Sequence, residues 1–431
     1  MAAGIDPAAA RARGLTMLGV GIGERRLTEA DRDALAVLLS VDGLGPLTLG
    51  RLVDRLGSPA AILEAASGTG GAGAILERSR AADREWRAMP HKVADAIADA
   101  AGNRTKLLED VARSGLRVIA RGDAEYPSRL VQIEIPPPAL FVRGSLASLA
   151  APHVVAVVGT RRPSPVGRRI ASRVATALAR AGATVVSGLA IGVDGAAHAA
   201  CVTDKAPTVA FIGGGHARLF PKAHDRLADA IVAGGGAVVS EYAPNVEPTK
   251  GTFPQRNRLI SGSADAVVVV EAGARSGALV TASWALEQGR ECFLVPGPID
   301  APTSAGCNGF LRDWHGLARI VSGVPQLLDD LGLMAAAAFP VAAEDGVVVR
   351  STVSLPSAGA VLSGRDAAQV AVAEALVHGA VTVDELVAVT RLSIGAVLGA
   401  LTRLEAGGLA RPVHGRYEPL GPLAAANPAA A

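Results

Sequence analysis

Aromatic residues and cysteines are scarce in this sequence of 431 residues. Phe, Trp and Tyr together make up 3% of it, whereas glycine occurs 50 times, so we expect a fold shaped by tight glycine turns rather than by aromatic packing. The three cysteines, Cys201, Cys292 and Cys307, contain no C-x-x-C pair, which argues against a zinc site. An odd number of cysteines fits reduced thiols in a cytoplasmic protein. We therefore expect no metal and no other cofactor.

Long apolar runs and a strong net charge are also missing. No apolar run reaches the roughly 18 residues that a membrane span needs. The stretch LTMLGVGIG near the start is short and is followed by GERR rather than by a small-residue cleavage site, so we reject a signal peptide and expect a cytoplasmic protein. Lys and Arg number 42 against 40 Asp and Glu, so any signal for nucleic-acid binding must be local.

The middle of the chain alternates apolar strand patterns with helical patterns. The strand patterns are apolar at every position rather than at every second one, as in a parallel sheet that is covered on both faces. This alternation predicts an α/β fold, an extended Rossmann-like, doubly wound and mostly parallel sheet. Two short strands, LRVIA and ALFVRG, precede it. The six main strands are VVAVVG (154–159), ATVVSG (183–188), TVAFIG (208–213), AVVSE (237–241), AVVVVE (266–271) and CFLVPG (292–297).

Smaller helical units are predicted on both sides of this sheet. At the N-terminal end, Thr28 is a plausible N-cap with Asp31 three residues later. The turn 43–46 between two helical patterns suits either a helix-hairpin-helix contact with DNA phosphate or plain packing, and residues 68–74 read as a loop. At the C-terminal end, three helices and a hairpin form the winged-helix pattern, with Thr382 and Glu385 as a capping box.

These patterns give the predicted domain organisation. The winged-helix unit carries four arginines against six acidic residues, so we expect it to pack or to bind protein rather than duplex DNA. The boundaries are an N-terminal tail (1–27), a small all-α domain of helix-hairpin-helix or SAM-like type (28–110), the Rossmann-like domain (115–330), a linker (335–365), the winged-helix domain (366–420) and a C-terminal tail (421–431).

Positive charge is concentrated in one stretch. Residues 151–193 contain no Asp or Glu but six arginines, and Arg161 and Arg162 lie on the glycine turn after the first main strand. Arg173 and Arg180 are expected to be merely solvated on a helix face. Arg161 and Arg256 instead lie in turns rich in Gly, Pro and Asn, where a long cation adds nothing to folding, and the turn of Arg256 is KGTFPQRNRLISG (250–262). A basic row along one sheet edge suits a phosphodiester backbone better than a single phosphate. The arginines are Arg161, Arg162, Arg168, Arg169, Arg173 and Arg180.

Glycine turns follow three of the strands, and backbone N–H groups there can approach an anion beside a helix start. None of the turns has the G-x-G-x-x-G or P-loop spacing. Ser276 suits either an N-cap or an anion contact. Phe220 and Phe253 are the aromatic residues best placed to stack on bases. The predicted phosphate contacts are Gly159, Thr160, Arg161, Arg162, Ser187, Gly188, Gly213, Gly214, Lys222, Lys250, Arg256, Asn257, Arg258, Ser276 and Gly277.

The sequence gives little support for any set of catalytic residues. Asp194 and His198 lie four residues apart at a helix start, where we expect them to act as local caps and packing partners rather than as metal ligands. We find no nucleophile elbow and no acid–base pair.

The ordered motifs resemble those of the DNA-processing protein A (DprA/Smf) family. They include YPSRL (126–130), PPPALFVRG (136–144), AVVGTRRPSPVG (156–167), VVSGLAIGVDGAAH (185–198), LFPKAHDRL (219–227), VVSEYAPN (238–245), FPQRNRLISG (253–262), SGALVTASWALEQGR (276–290) and FLVPGPID (293–300). The resemblance implies a non-catalytic protein that binds single-stranded DNA on its Rossmann-like domain and forms a homodimer through it. It also implies that the protein loads the RecA recombinase onto single-stranded DNA in natural transformation and homologous recombination.

The resemblance also assigns individual residues. The family's phosphate-contacting Arg of the G-[ST]-R turn corresponds to Arg161, its basic position after the third strand to Lys222, and its R-N-R motif to Arg256 and Arg258. One departure is clear: the family's second glycine turn usually reads S-G-L-A-R-G-I-D, and Ile191 stands in place of that Arg.

The alternative is a nucleotide-binding enzyme of the nucleoside-monophosphate phosphoribohydrolase type, which uses a related sheet. Such enzymes carry a P-G-G-x-G-T-x-x-E turn with a catalytic Glu. The corresponding stretch here is EAGARSG (271–277), and the following helix has Glu287 only near its end, so the catalytic pattern is absent.

Overall fold

Six helices form the N-terminal part of the chain, counted over its described residues up to residue 113. Thr28 caps the first of them, since the Asp31 backbone N–H donates to its hydroxyl (3.2 Å) and its own N–H donates to the Asp31 carboxylate (3.1 Å), which confirms the predicted cap. The loop predicted at 68–74 is wrong from Gly71 on, because Ile75 is buried in the helical core and draws this segment into a helix. The helices are α1 Glu29–Leu38, α2 Pro46–Leu56, α3 Pro59–Ser67, α4 Gly71–Ser79, α5 His91–Gly102 and α6 Arg104–Arg113.

This computed structural model describes residues 27–68, 70–79, 89–333, 365–378, 382–407, 409–413, 416–420 and 423. The predicted linker and both predicted tails lie almost entirely outside these residues. The chain divides into two units, residues 1–339 and 340–431. The helical part belongs to the first unit, where its apolar core includes Ala120 and Ala139 of the sheet. The DNA contact left open for the turn at 43–46 stays a prediction.

A sheet of nine strands forms the centre of the first unit, counted over the described residues. Its order is β1-β2-β6-β5-β4-β3-β7-β8-β9, with antiparallel pairing only between β1 and β2 and between β2 and β6. This topology confirms the predicted fold class. The strands are β1 Arg117–Ala120, β2 Ala139–Gly144, β3 Val154–Val158, β4 Thr184–Ser187, β5 Thr208–Phe211, β6 Ala237–Ser240, β7 Ala266–Val269, β8 Glu291–Leu294 and β9 Ala318–Ile320.

Helices cover both faces of the sheet. Helices α8, α9, α10 and α14 pack on one face, and α11, α12 and α13 pack on the other. The segment KGTFPQRNRLISG, predicted as an irregular turn, is helical from Thr252. The helices are α7 Ser128–Val131, α8 Pro165–Arg180, α9 Val193–Thr203, α10 Asp225–Ala233, α11 Thr252–Gly262, α12 Gly277–Glu287, α13 Ala305–Asp313 and α14 Val324–Asp330.

The second unit contains the three helices and the hairpin that the sequence predicts. Thr382 and Glu385 form the expected capping box. Among the described residues, no single helix is long and apolar enough to cross a membrane, and α16 with α17 reaches that hydropathy only as a pair bent by 112°. The elements are α15 Ala367–Val377, α16 Val383–Thr390, α17 Ile394–Ala406, β10 Ala410–Val413 and β11 Arg416–Pro419.

Candidate nucleic-acid interface

A cleft opens between β3 and β7, where the strand order reverses. The chain steps outward from β3 to β6 and then returns to β7 on the other side of β3. Ligands of open α/β sheets bind at such a switch point, outside the carboxyl ends of the strands. The cavity measures about 490 Å³, and we call it the switch-point cleft. Its lining includes Gly159, Thr160, Arg161, Asp194, Phe253, Arg256, Asn257, Arg275, Ser276 and Gly277.

Arg161 projects from a turn whose backbone is fixed on both sides. The N–H of Thr160 donates to the Glu271 carbonyl (2.6 Å), and the Thr160 carbonyl accepts from the N–H of Val193 (3.2 Å). The exposed Arg161 guanidinium lies 5.0 Å from the centroid of the Phe253 ring, within cation–π distance. In the part of the chain that the structure describes, no carboxylate pairs with it. Arg161 is therefore a positioned cation that is free to bind an anion.

Phe220 and Phe253 lie beside this cation as a tilted aromatic pair. Their ring centroids are 6.0 Å apart at an interplanar angle of 55°. The Phe220 side chain is 52% exposed, although a large apolar ring is usually buried. The two rings thus provide an open apolar surface next to Arg161, which suits stacking on a planar group.

Arg256 is part of the cleft floor rather than an extended side chain. It is 4% exposed, and its Nη1 donates to the carbonyls of Gly188 (2.7 Å) and Phe211. The expectation that such a long cation adds nothing to folding is wrong for Arg256, because this residue belongs to α11 and joins the ends of β4 and β5. Its Nη2 makes no hydrogen bond to the described residues. A phosphate contact through that atom stays a prediction.

Asp194 accompanies Arg256 beneath the cleft. Its carboxylate accepts from the N–H of Gly188 (3.1 Å), and burial raises its pKa while the neighbouring Arg256 charge opposes that rise. Burial lowers the pKa of Arg256 to about 10, and Asp194 limits the drop. Arg256 therefore stays charged at neutral pH. A Cβ at Gly188 would lie 2.7 Å from the Asp194 carboxylate and 2.8 Å from Arg256 Nη1, so only glycine fits there.

The N-terminus of α8 already holds a carboxylate of the protein itself. Glu271 is buried, and one of its oxygens accepts from the N–H of Ser164 (2.9 Å). A Cβ at Gly167 would lie 1.8 Å from the same oxygen, so glycine is required for this close approach. The expectation that the start of this helix adds positive potential for a bound phosphate is therefore wrong, because Glu271 neutralises that end of the dipole.

Arg258 does not reach the switch-point cleft. It is 6% exposed, and its Nη2 pairs with Glu241 (2.6 Å) inside the protein. Arg258 Nη1 and Glu241 Oε1 are buried without a hydrogen-bond partner. The phosphate contact predicted for Arg258 is therefore contradicted by its position, and we assign this residue to a buried ion pair.

The second and third glycine turns are buried as well. Ser187 donates to the Val157 carbonyl (2.6 Å), and Gly188 packs against Arg256. Phe253 covers Gly213, and Pro248 covers Gly214. These four residues were predicted to contact phosphate, and their burial contradicts that prediction, because side chains from distant segments close over both turns.

Lys222 lies in a neighbouring cavity of about 710 Å³ together with Phe220 and Arg143. Phe220 connects the two sites, because it borders this cavity and also contacts Phe253 of the switch-point cleft. The second cavity has mixed charge, since Asp229 pairs with Arg143. The remaining predicted cations, Arg162 and Lys250, are exposed outside both linings.

The far wall of the cleft is the turn after β7. Ser276 is the N-cap of α12, because its hydroxyl accepts from the N–H of Ala278 (3.3 Å), and Asn257 donates to the Gly277 carbonyl (3.2 Å). Arg275, on the same turn, is exposed and was missed by sequence reasoning. The signal was available, since Arg275 sits in a glycine turn after a strand in the same way as Arg161.

The pair of His198 and Asp194 is a packing feature, as expected. His198 is fully buried, its Nδ1 forms a hydrogen bond with the Thr208 hydroxyl (2.9 Å), and burial lowers its pKa to about 3. The three cysteines are buried free thiols. Among the described residues, no group of three His, Cys, Asp or Glu side chains has the geometry of a metal site.

Comparisons with known proteins agree with this architecture. Residues 117–332 match the family model described as DNA recombination-mediator protein A, and residues 343–416 match the DprA winged helix domain. The second match begins before the predicted winged-helix boundary, residue 366. A protein of Mycobacterium tuberculosis is 36% identical over 356 residues, which cover 78% of this chain and 86% of that protein.

Two further relatives are similar. Protein Smf of Escherichia coli is 43% identical over 206 residues, which cover 48% of this chain and 54% of that protein. The X-ray structure of DNA processing protein A from Streptococcus pneumoniae matches with a TM-score of 0.54 and 29% identity. That match covers 71% of this chain and 99% of the Streptococcus pneumoniae chain.

Replacing Arg258 tests its assignment to the protein interior. We expect Arg258→Ala to lower the free energy of unfolding by about 3 kcal/mol, because it leaves the Glu241 charge buried and unpaired. The double variant Arg258→Met with Glu241→Leu should recover most of that loss. Urea denaturation measures both. The exposed pair of Arg312 and Asp313 supplies the control, and Arg312→Ala should change stability by less than about 0.5 kcal/mol. An unchanged midpoint for Arg258→Ala would contradict the assignment.

Proposed function

The chain belongs to the DNA recombination-mediator protein A family of DNA-processing proteins, and from this membership we propose that it binds single-stranded DNA along the switch-point cleft. The observation that carries the proposal is the position of Arg161. This unpaired, exposed cation stands over an aromatic ring at the switch point of the sheet. Arg275, on the turn after β7, lines the same cleft, so cations come from two different turns.

The aromatic pair favours an unpaired strand over a duplex. Phe220 and Phe253 offer ring faces at the rim of the cleft, and a base can stack on them only if it has left its own partner. The phosphates of such a strand would then lie against Arg161 and Arg275, with Lys222 continuing the path beyond Phe220. With so few aromatic residues nearby, phosphate contacts supply most of the affinity.

We propose binding without turnover. Asp194 is the carboxylate that lines the cleft in the described part of the chain, and it is held by the Gly188 N–H and by Arg256. Glu271, which corresponds to the start of the catalytic turn of the phosphoribohydrolases, is buried at the N-terminus of α8. Release of free base from nucleoside monophosphates by the purified chain would contradict this role.

We also propose that the bound strand is passed to the RecA recombinase, in the cytoplasm. The support for this step is membership of a family described as recombination mediators. RecA filament formation on a strand coated with single-strand-binding protein, measured with and without this chain, tests it. No acceleration by the chain would contradict the proposal.

Arg161→Ala tests the cleft directly. We expect weaker binding to single strands of every sequence alike, and a plot of log affinity against log salt that is flatter by about 0.7, the value for one phosphate contact on a single strand. Fluorescence-anisotropy titration of oligo-dT at several salt concentrations measures both quantities, with a duplex of equal length as the comparison. Arg113→Ala, an exposed and paired arginine on α6, is the control and should change neither. A slope unaffected by Arg161→Ala would rule out the contact.

Ile191 offers a gain-of-function test. It is 49% exposed between Ala190, which lines the cleft, and Gly192, which packs against the Arg161 turn. We expect Ile191→Arg to strengthen binding of oligo-dT and to steepen its salt dependence by about 0.7, because the variant adds a cation at the cleft rim. Ile191→Gln, of similar reach and no charge, is the control. Equal affinities for the two variants would show that this turn lies away from the strand.

We propose that a second copy of the chain pairs along β9. This strand lies at the edge of the sheet, and two apolar residues there are exposed. Leu317, just before the strand, is 61% exposed, and Ile320, its last residue, is 54% exposed. An open sheet edge with apolar side chains is a template for another strand. Ile320→Asp should convert a dimer to a monomer, as measured by light scattering during size-exclusion chromatography. Ile299→Asp, at an exposed loop residue, should leave the mass unchanged. A monomeric parent chain would contradict the proposal.

A further inference from the structure

Helix α8 and the turn before it carry four exposed arginines outside the switch-point cleft. No carboxylate among the described residues pairs with any of them, and α8 itself contains no Asp or Glu. Arg180, at the end of the same helix, differs because its Nε pairs with Asp204 (3.1 Å). We call the four unpaired residues the α8 arginine ridge: Arg162, Arg168, Arg169 and Arg173.

The ridge continues directly from the cleft. Arg162 follows Arg161 on the turn, and Arg168 lies one helical turn inside α8. Arg169 and Arg173 are four residues apart, about 6 Å along the helix axis, on the side opposite the buried Ala171. A strand leaving the cleft past Arg161 therefore meets Arg162 first and then the exposed arginines of α8.

This arrangement works against the stability of the helix. Like charges four residues apart on a helix, as at Arg169 and Arg173, repel each other. Folding alone would favour opposite charges at such a spacing. The exposure of Arg173 agrees with its expected solvation, but a set of four unpaired arginines at an unfavourable place points to an anionic ligand.

We propose that the α8 arginine ridge binds the phosphates of the DNA segment that flanks the nucleotides held in the switch-point cleft. The inference rests on the proposed function, since it assigns a second part of the path to the same strand. Guanidinium groups match phosphate oxygens in geometry and stay charged. An acidic protein partner is less well matched, because a protein interface needs a central apolar anchor, and within the described helix α8 the one exposed large apolar residue is Val166, at 51%.

Oligonucleotides of two lengths distinguish binding at the α8 arginine ridge from binding at the switch-point cleft. The double variant Arg169→Ala with Arg173→Ala should bind a short oligo-dT of about six nucleotides within twofold of the parent chain. It should bind an oligo-dT of about twenty nucleotides on the order of tenfold more weakly, with a salt slope flatter by about 1.4, the value for two phosphate contacts. Anisotropy titrations of the full chain measure both, and circular dichroism shows whether the helix is intact.

Two further variants act as controls. Arg180→Ala removes an arginine from the same helix that already has a partner, and it should leave both oligonucleotides unaffected. The double variant Arg169→Lys with Arg173→Lys keeps both charges and should keep the salt slope. Loss of the slope in the lysine variant would overturn the assignment to phosphate charge.

The other possible results of these titrations distinguish the ridge, the cleft and an acidic protein partner from one another. Unchanged binding of the long oligonucleotide by the alanine variant would overturn the ridge while leaving the cleft in place. Equal weakening at both lengths would also overturn it, because the ridge would then not be a flanking site. Loss of binding to polyglutamate with DNA binding retained would assign the ridge to an acidic protein. Failure of the parent chain to bind either oligonucleotide would instead overturn the proposed function itself.

Discussion

The switch-point cleft depends on one buried guanidinium. Arg256 donates to the carbonyls of Gly188 and Phe211 and thereby joins the carboxyl ends of β4 and β5. Without Asp194 beside it, so deeply buried a charge would be costly, and without glycine at 188 the two side chains could not approach the backbone. The floor of the cleft is therefore a buried guanidinium, compensated by Asp194, whose position the rest of the fold maintains.

The anion-binding capacity of the first glycine turn is directed inward. The Glu271 carboxylate accepts a hydrogen bond from the N–H of Ser164 at the start of α8, so the helix dipole is balanced within the protein. A P-loop or dinucleotide site uses such a helix start for the ligand's phosphate. In the proposed binding mode the ligand's phosphates would instead meet side chains, above all Arg161 and Arg275. Binding through exposed arginines depends strongly on salt and tolerates any base sequence, as the proposed binding of single strands requires.

The sheet was predictable because its strands are buried on both faces and so are apolar at every position. The cleft was predictable where chemistry is local, as at Arg161. The prediction of phosphate contacts failed where packing between distant segments determines which residues are exposed. Phe253 and Pro248, far along the chain, cover Gly213 and Gly214. Helix α11 was missed because its two buried arginines, Arg256 and Arg258, break the apolar periodicity that marks a buried helix. A local reading cannot distinguish a buried cation from a solvated one.

The arginines of the first unit therefore serve separate physical roles that net charge conceals. Arg256 and Arg258 are buried and stabilise the fold, and the carbonyls and the carboxylate around them leave little of their charge for a ligand. Arg161 stands at the cleft, and the exposed arginines of α8 extend outward from it. A chain of net charge +2 can thus present a basic surface locally, because residues 151–193 contain six arginines and no Asp or Glu. It is this separation in space, rather than an excess of basic residues, that makes the sheet edge attractive to a polyanion.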